Sequence, residues 1–518
     1  MRLPPISIIL AAGLLLSFAC SNAPTVDPAP TATAVAPPTA TALPVQTPDV
    51  PEARKEAASH HLTPHLFEAA DGTPIAGEWG RLLVPENRAN PASNRLEIPF
   101  VRFKTSVPDP GTPTVFLNGG PGEETLAIVP QFLPFVPELP FDLILVEQRG
   151  IGHSRPRLDC PGTYHLPLDQ PLDFETMLAA ASAFTEGCAR SWEEQGVDLA
   201  GYNVREMAAD IDALRQALGY DQINLLGGSF GSHHGLAVLR FFGEHVDRGV
   251  LSAVEGPNHT IKLPSTIQGH LEELDRMVRA DSELSRDIPD FLELMATVLD
   301  RLEQEPATVE ITNPESGEQV AVTVGKLDLQ LVTANGLGRT DFLRALPSRY
   351  YAMSQGDFSW LAEEVLSHRT GRSGSLMSAL VDCASGATMA RRAQIQQETQ
   401  GTLLGNAING VQFELCDSLE YSDLGDQFRA DLQTQVPVLL VSGSLDARTP
   451  VSNAEEVLKG LAEGQHLILE GVSHDFALGD ELFLQFIQTQ SQFLMGGPLA
   501  TERIIAPFQF DSVANGGF

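Results

Sequence analysis

Basic side chains are scarce in this chain. Thirty-three lysines and arginines face sixty-seven carboxylates across 518 residues, a formal charge of −34. Such a charge repels phosphate backbones, and no basic stripe gathers the cations that are present, which argues against nucleic acid as a partner. The apolar run from Ile6 to Leu16 is shorter than the ~20 residues a spanning helix requires, so it does not cross a bilayer. Only five cysteines occur, with no C-x-x-C and no matching histidine pair, which weighs against zinc. What is present suffices for a core: 43% of the residues are hydrophobic.

Residues 1–20 carry a charge at Arg2, the short apolar run, and then Ser17-Phe18-Ala19-Cys20, the pattern of a secretory signal. Cys20 follows a small residue and precedes Ser21, which resembles the cleavage and lipid-attachment site of a bacterial lipoprotein; Ser17 stands in place of the usual leucine there, and Phe18 is bulky. Lipidation would anchor the protein to a membrane through lipid alone, at a bacterial cell surface or in a periplasm-like compartment. Cleavage nearby without lipidation would release it as a secreted protein. Residues 21–58 are rich in Pro, Ala and Thr with no periodic apolar face, and read as a disordered, semi-rigid tether. With Cys20 set aside, Cys160, Cys188, Cys383 and Cys416 allow three pairings. The two shorter loops, Cys160 with Cys188 and Cys383 with Cys416, are the expected disulfides of an oxidising compartment.

The stretch from Ile223 to Gly231, INLLGGSFG, is an apolar strand entering G-x-S-x-G, with a helical run from Leu236 to Phe241 behind it. This is the pattern of a nucleophile elbow. Gly227 and Gly231 let strand and helix pack closely around a strained turn, and Ser229 projects its hydroxyl above the sheet edge. A glycine-rich turn with an incidental serine would match the same motif, so the remaining chain decides. Thr114 to Leu117 predicts a short buried strand opening into Asn118-Gly119-Gly120-Pro121-Gly122, where glycines let backbone N–H groups approach a ligand. Gly120 and Phe230 are the expected oxyanion donors.

Arg81 to Val84 and Leu96 to Lys104 predict an antiparallel edge, and Phe141 to Val146 a further buried strand. The segment after it, Glu147-Gln148-Arg149-Gly150-Ile151-Gly152-His153-Ser154, offers Arg149 as a salt-bridging scaffold residue and His153 as a structural one. Asn203 to Leu218 predicts a helix with Asn203 as N-cap and Glu206 completing a capping box. Strand and helix in alternation predict a parallel sheet covered on both faces. From 259 to 435 that alternation stops. Helical stretches (Ile267 to Ala280, Pro289 to Glu303, Phe358 to His368) and one β-like interruption, Ala307 to Val324, read as an inserted cap without internal repeats. It separates a first core part, 59–258, from a C-terminal core part, 436–518.

The sheet resumes at Val436 to Gly443, ahead of Asp446, and a strand from His466 to Glu470 leads to His474. Ser229, Asp446 and His474 follow the order of a Ser, Asp, His triad, each on a loop after a predicted strand. His474 would take the serine proton and Asp446 would orient the imidazole. Asp475 beside His474 is expected to point away, and His233 and His234 on the elbow helix to pack or face solvent.

Together, Asn118–Gly122, Glu147–Ser154, Gly227–Gly231, Gly443–Pro450 and Gly471–His474 resemble the proline iminopeptidase and tripeptidyl aminopeptidase family of α/β-hydrolases. The likeness runs from about Gly77 to Leu494 and is greatest to the tripeptidyl aminopeptidase branch with its C-terminal region. It implies an α/β class, the α/β-hydrolase fold, with a mostly parallel sheet, helices on both faces and a largely helical inserted cap. It further implies an exported serine hydrolase, an aminopeptidase acting on peptide substrates through an acyl-enzyme, with no metal or organic cofactor. Asn118 stands where proline iminopeptidases commonly carry histidine, and Glu147-Gln148 replaces their Asp-Gln. Their amine-binding glutamates have no counterpart located in this cap, so proline specificity is not implied. For a substrate ammonium, Glu255 beyond the strand after the elbow helix is a candidate, with Glu123 and Glu124 behind the oxyanion loop as others. A carboxylesterase would use the same triad, and a non-catalytic binding protein on this scaffold would not need one.

Overall fold

Short apolar runs alternating with helices build one large sheet in the computed structural model, which describes residues 59–314 and 316–513. The signal segment, the tether and Cys20 lie outside the described residues. In chain order the strands are β1 (Ser59–Glu68), β2 (Pro74–Pro85), β3 (Arg95–Phe103), β4 (Gly111–Leu117), β5 (Phe141–Val146) and β6 (Ile223–Gly228). They continue with β7 (Val246–Ser252), β8 (Ala307–Thr312), β9 (Gln319–Val324), β10 (Val438–Gly443), β11 (Gly464–Glu470) and β12 (Arg503–Ile505). Ten of these form one sheet in the order β1-β2-β3-β5-β4-β6-β7-β10-β11-β12. β1, β2 and β3 run antiparallel at one edge, as expected for the two runs that lie within β2 and at β3, while the strands from β5 to β12 are parallel. β1 and β12 extend the sheet beyond the sequence expectation at both ends.

The central strands are nearly continuous in their apolarity because helices cover both faces. Every residue of β10 is buried, and Leu225, Val250, Leu439 and Val441 are fully enclosed. One face packs on Met207, Ile211 and Leu214 of the helix Val204–Leu218 and on Leu236 to Leu239 of the helix Phe230–Phe242. The other packs on Phe486, Phe493 and Leu494 of the helix Asp480–Leu494.

The helix Val204–Leu218 begins where expected, with the Asn203 side chain accepting from the Glu206 N–H at 3.0 Å. The capping box, however, is half formed. The Glu206 carboxylate turns instead to Arg88, accepting from its Nη1 at 2.6 Å and its N–H at 3.1 Å, because a charged partner outbids a neutral backbone N–H.

Between β7 and β10 the chain is predominantly helical, with β8 and β9 forming an antiparallel hairpin. Besides the expected helices, here Pro264–Ala280, Phe291–Gln304 and Ser359–Arg369, it contains Lys326–Gly336, Thr340–Ser354, Leu376–Ser385 and Met389–Thr399. The first two of these, with Pro264–Ala280, Phe291–Gln304 and Ser359–Arg369, enclose a core of their own around Leu274, Phe291, Leu343 and Tyr350, while Leu376–Ser385 packs into the main core through Leu376, Met377, Leu380 and Val381. The disulfide Cys383–Cys416 closes part of this region, and Cys160–Cys188 ties the segment after β5 to the helix Phe174–Glu194. No helix of the described residues is long and apolar enough to cross a membrane.

Candidate active site

Because β5, β4, β6, β7, β10 and β11 are parallel neighbours in that order, the loops at their carboxyl ends line up along one sheet edge. They deliver Glu147 to Arg149, the Asn118–Gly122 loop, Ser229, Glu255, Asp446 and His474 in sequence across the top of the sheet. This is the edge at which open α/β sheets bind ligands.

Ser229 sits in the turn between β6 and the helix Phe230–Phe242 with φ 55° and ψ −127°, a strained conformation for a residue with a side chain. The turn is possible because its flanks lack side chains. A Cβ on Gly227 would stand 2.4 Å from the Gly231 carbonyl oxygen, and one on Gly231 would stand 2.0 Å from that of Leu117. Ser232 Oγ donates to the Ser229 carbonyl at 2.6 Å and accepts from the Glu255 N–H at 2.8 Å, joining the elbow to the segment after β7.

His474 Nε2 lies 3.0 Å from Ser229 Oγ, and its Nδ1 lies 2.8 Å from Asp446 Oδ2. Asp446 is 2% exposed and accepts three further hydrogen bonds: from the N–H groups of Arg448 and Thr449 at 2.8 and 2.9 Å, and from Thr449 Oγ1 at 2.6 Å. Burial acts to raise its carboxyl, but His474 and the Thr449 donors outweigh burial and hold it below the usual range. Leu445 and Ala447 on either side are buried in the cap core, which fixes the loop. The histidine loop is fixed in the same way. Ser473 Oγ donates to the Leu337 carbonyl at 3.2 Å, and the Asp475 N–H to that of Gly338 at 3.1 Å. The Asp475 carboxylate faces away from His474, accepting from Thr340 N and Oγ1 at 2.8 and 2.7 Å.

The loop bearing Gly120 lies beside the elbow: a Cβ on Gly119 would come within 3.5 Å of Ser229 Cβ. Gln148 holds that loop, donating to the carbonyls of Asn118 and Gly119 at 3.1 and 2.8 Å and accepting from the Gly122 N–H at 3.0 Å. Gly120 itself has φ 107°. Phe230 opens the elbow helix, so its N–H belongs to the unpaired first turn. Beneath, Arg149 is 1% exposed and makes a bidentate pair with Asp210, 2.8 Å on each arm, while also donating to the carbonyls of Glu86 and Gly201. His153 packs edge-on against Trp79, and His233 and His234 are buried in the elbow helix.

Of the three carboxylates considered for a substrate ammonium, Glu124 pairs with Arg157 at 3.1 Å. Glu255 is 7% exposed with Lys262 Nζ 3.6 Å away. Its burial would raise its carboxyl, but Lys262 and, more weakly, His233, His259 and Arg448 bring it below the usual range. Glu123 is raised by burial against the pull of His474 and Arg448, which places it near both. Two contributors escaped the sequence reading. Thr449 is recognisable afterwards from its position three residues beyond the aspartate, where an Asx-type turn lets the side chains meet. Gln148 carries no local signal. Among the described residues no group of three or more His, Cys, Asp or Glu could hold a metal ion.

A family model described as the alpha/beta hydrolase fold matches residues 112–480. Serine protease Hip1 of Mycobacterium tuberculosis is 29% identical over 188 residues, 35% of this chain and 36% of the relative. Tripeptidyl aminopeptidase of Streptomyces lividans is 30% identical over 126 residues, 23% of each chain. The chain thus spans about a third or less of the length of these curated relatives. Among solved structures, a thermophilic esterase from Thermogutta terrifontis aligns with 80% of this chain and 99% of its own, at 14% identity and a TM-score of 0.33.

Proposed function

The chain belongs to the α/β-hydrolase fold family, and from that premise we propose that it is an exported serine aminopeptidase, releasing residues or short peptides from free N-termini. The observation that carries the reading is His474, within hydrogen-bonding distance of both Ser229 Oγ and Asp446 Oδ2. As Ser229 Oγ attacks the scissile carbonyl, His474 Nε2 takes its proton, and Asp446 holds the imidazole in the needed tautomer and stabilises its charged form. The N–H groups of Gly120 and Phe230 receive the developing oxyanion, a role worth roughly 10² to 10³ in rate per donor. Collapse breaks the C–N bond, and His474 returns the proton to the departing amine. Water then repeats the cycle on the acyl-enzyme and frees Ser229.

Support for an exopeptidase comes from the names of the two relatives, one a serine protease and one a tripeptidyl aminopeptidase. It comes also from the carboxylates beside the site, Glu255 and Glu123, which suit a cationic amino terminus. Export, with a lipid on Cys20, completes the reading; two disulfides are in keeping with an oxidising compartment. The test compares a peptide with the same peptide acetylated at its N-terminus. Selective cleavage of the free peptide is expected, and equal cleavage of both would replace the aminopeptidase by an endopeptidase or a carboxylesterase.

A further inference from the structure

Asp475, next in the chain to His474, turns its side chain to the cap. Its carboxylate accepts from Thr340 N at 2.8 Å and from Thr340 Oγ1 at 2.7 Å, across 135 residues of sequence. A third and longer contact, from the Ala477 N–H at 3.4 Å, stays inside the loop. Thr340 is the first residue of the cap helix Thr340–Ser354, where backbone N–H groups have no partner within the helix. The local N-cap residue, Arg339, makes no side-chain capping bond. The helix is capped instead from the histidine loop, by an anion at the end of the dipole that favours one.

Further contacts join the same two segments. The Asp475 N–H donates to the Gly338 carbonyl at 3.1 Å, and Ser473 Oγ to that of Leu337 at 3.2 Å. The residues on both sides of His474 therefore hold the turn that precedes the helix. That turn lies directly on the triad: a Cβ on Gly338 would stand 3.2 Å from His474 Cβ and 2.6 Å from Cδ of Arg448, just beyond Asp446. Further along the same helix, Arg344 pairs with Asp511 at 3.3 Å and its carbonyl accepts from the Asp511 N–H at 2.9 Å, so the segment after β12 grips the helix as well.

We propose that Asp475 is a positioning residue for His474, the latch through which the seated cap holds the imidazole between Ser229 and Asp446. This rests on the serine-hydrolase reading and adds a condition to it: turnover requires the cap turn 337–340 to be docked on the histidine loop, so that base and cap turn act as one unit. Asp475 works through its hydrogen bonds and not as the acid of the triad, because both of its carboxylate oxygens face Thr340.

The test follows hydrolysis of a nitrophenyl ester and the rate of fluorophosphonate labelling in the full chain and in variants, with thermal unfolding of each to give its folded fraction. Displacing a catalytic group by about 1 Å costs up to about 10²-fold. Asp475→Ala should therefore lower kcat by about 10- to 100-fold, with KM within about twofold, and slow labelling by a similar factor. Asp475→Asn keeps the shape, its amide oxygen accepting from the Thr340 N–H and its NH2 donating to Thr340 Oγ1, and should stay within about threefold of the parent. Thr340→Val, which removes one of the two bonds, should add no further loss to Asp475→Ala. Gly338→Ala keeps every hydrogen bond but presses on His474 from the cap side, and should slow both reactions with Asp475 intact. A loss in Asp475→Asn equal to that in Asp475→Ala would make charge and not position the operative property, and would overturn the proposal. So would an unchanged kcat in the folded fraction of Asp475→Ala, with only its melting temperature lowered. Wild-type protein that neither labels nor hydrolyses the ester would instead refute the serine-hydrolase reading itself.

Discussion

Arg149 offers the sharpest test of how the site is held. Its guanidinium is 1% exposed and spends its donors on Asp210 twice, on the Glu86 carbonyl and on the Gly201 carbonyl. Burial disfavours its charge, but Asp210 and Glu206 outweigh burial and keep it firmly protonated. Arg149→Met preserves the length of the side chain and removes every donor. Asp210, 4% exposed, is then left with Arg88 Nη2 at 2.8 Å as its remaining cation, and two carbonyls lose a charged donor. Breaking a buried pair from one side costs about 3–5 kcal/mol, and because Arg88 partly compensates, the lower end is expected. Arg149→Lys keeps the charge but cannot span both carboxylate oxygens, so about half of that loss should remain. Urea unfolding followed by fluorescence, with the disulfides intact, gives the midpoints. Because Gln148 next in the chain holds the oxyanion loop, kcat should fall in the folded fraction as well. A methionine variant within about 1 kcal/mol of the parent would refute the claim that this buried pair anchors the site, since that is the range of exposed pairs.

Thr449→Val removes the hydroxyl that donates to Asp446 Oδ2 at 2.6 Å and should lower kcat by about 10-fold with KM little changed, while Thr449→Ser restores it. Gly231→Ala places a Cβ 2.0 Å from the Leu117 carbonyl oxygen, and a shift of the elbow against β4 should cost about 1–3 kcal/mol and slow fluorophosphonate labelling. Glu147 is 2% exposed and burial lifts it to about 7 from 4.5, so the folded state holds its proton more tightly than the unfolded state does. Its contribution is present below pH 4.5 and is lost as pH rises to about 7; Glu147→Gln should remove up to about 3 kcal/mol of that dependence in Tm measured against pH.

The parts of this architecture that were legible in the sequence are those fixed by local sterics. Gly227 and Gly231 are required by carbonyl oxygens too close to admit a Cβ, so the elbow is written in the chain itself. β10 reads as a strand because its buried run from Val438 to Val441 is wholly apolar. Asn203 caps its helix as its side chain dictates. Glu206 shows where such reading ends. Its spacing from Asn203 fits a capping box, yet Arg88, distant in sequence, takes the carboxylate. β1 is an edge strand with exposed polar positions and lacks the alternation that marks a half-buried one. The approach of Glu123 and Arg448 to His474 joins loops far apart in the chain, those after β4, β10 and β11, which only the strand order of the sheet brings together.

The account stands most directly on the identity of the nucleophile. Intact protein treated with a fluorophosphonate, digested and mapped by mass spectrometry, should carry a single adduct on Ser229, and Ser229→Ala should neither label nor hydrolyse any substrate while melting with the parent. An adduct on another residue, or turnover surviving in Ser229→Ala, would contradict it.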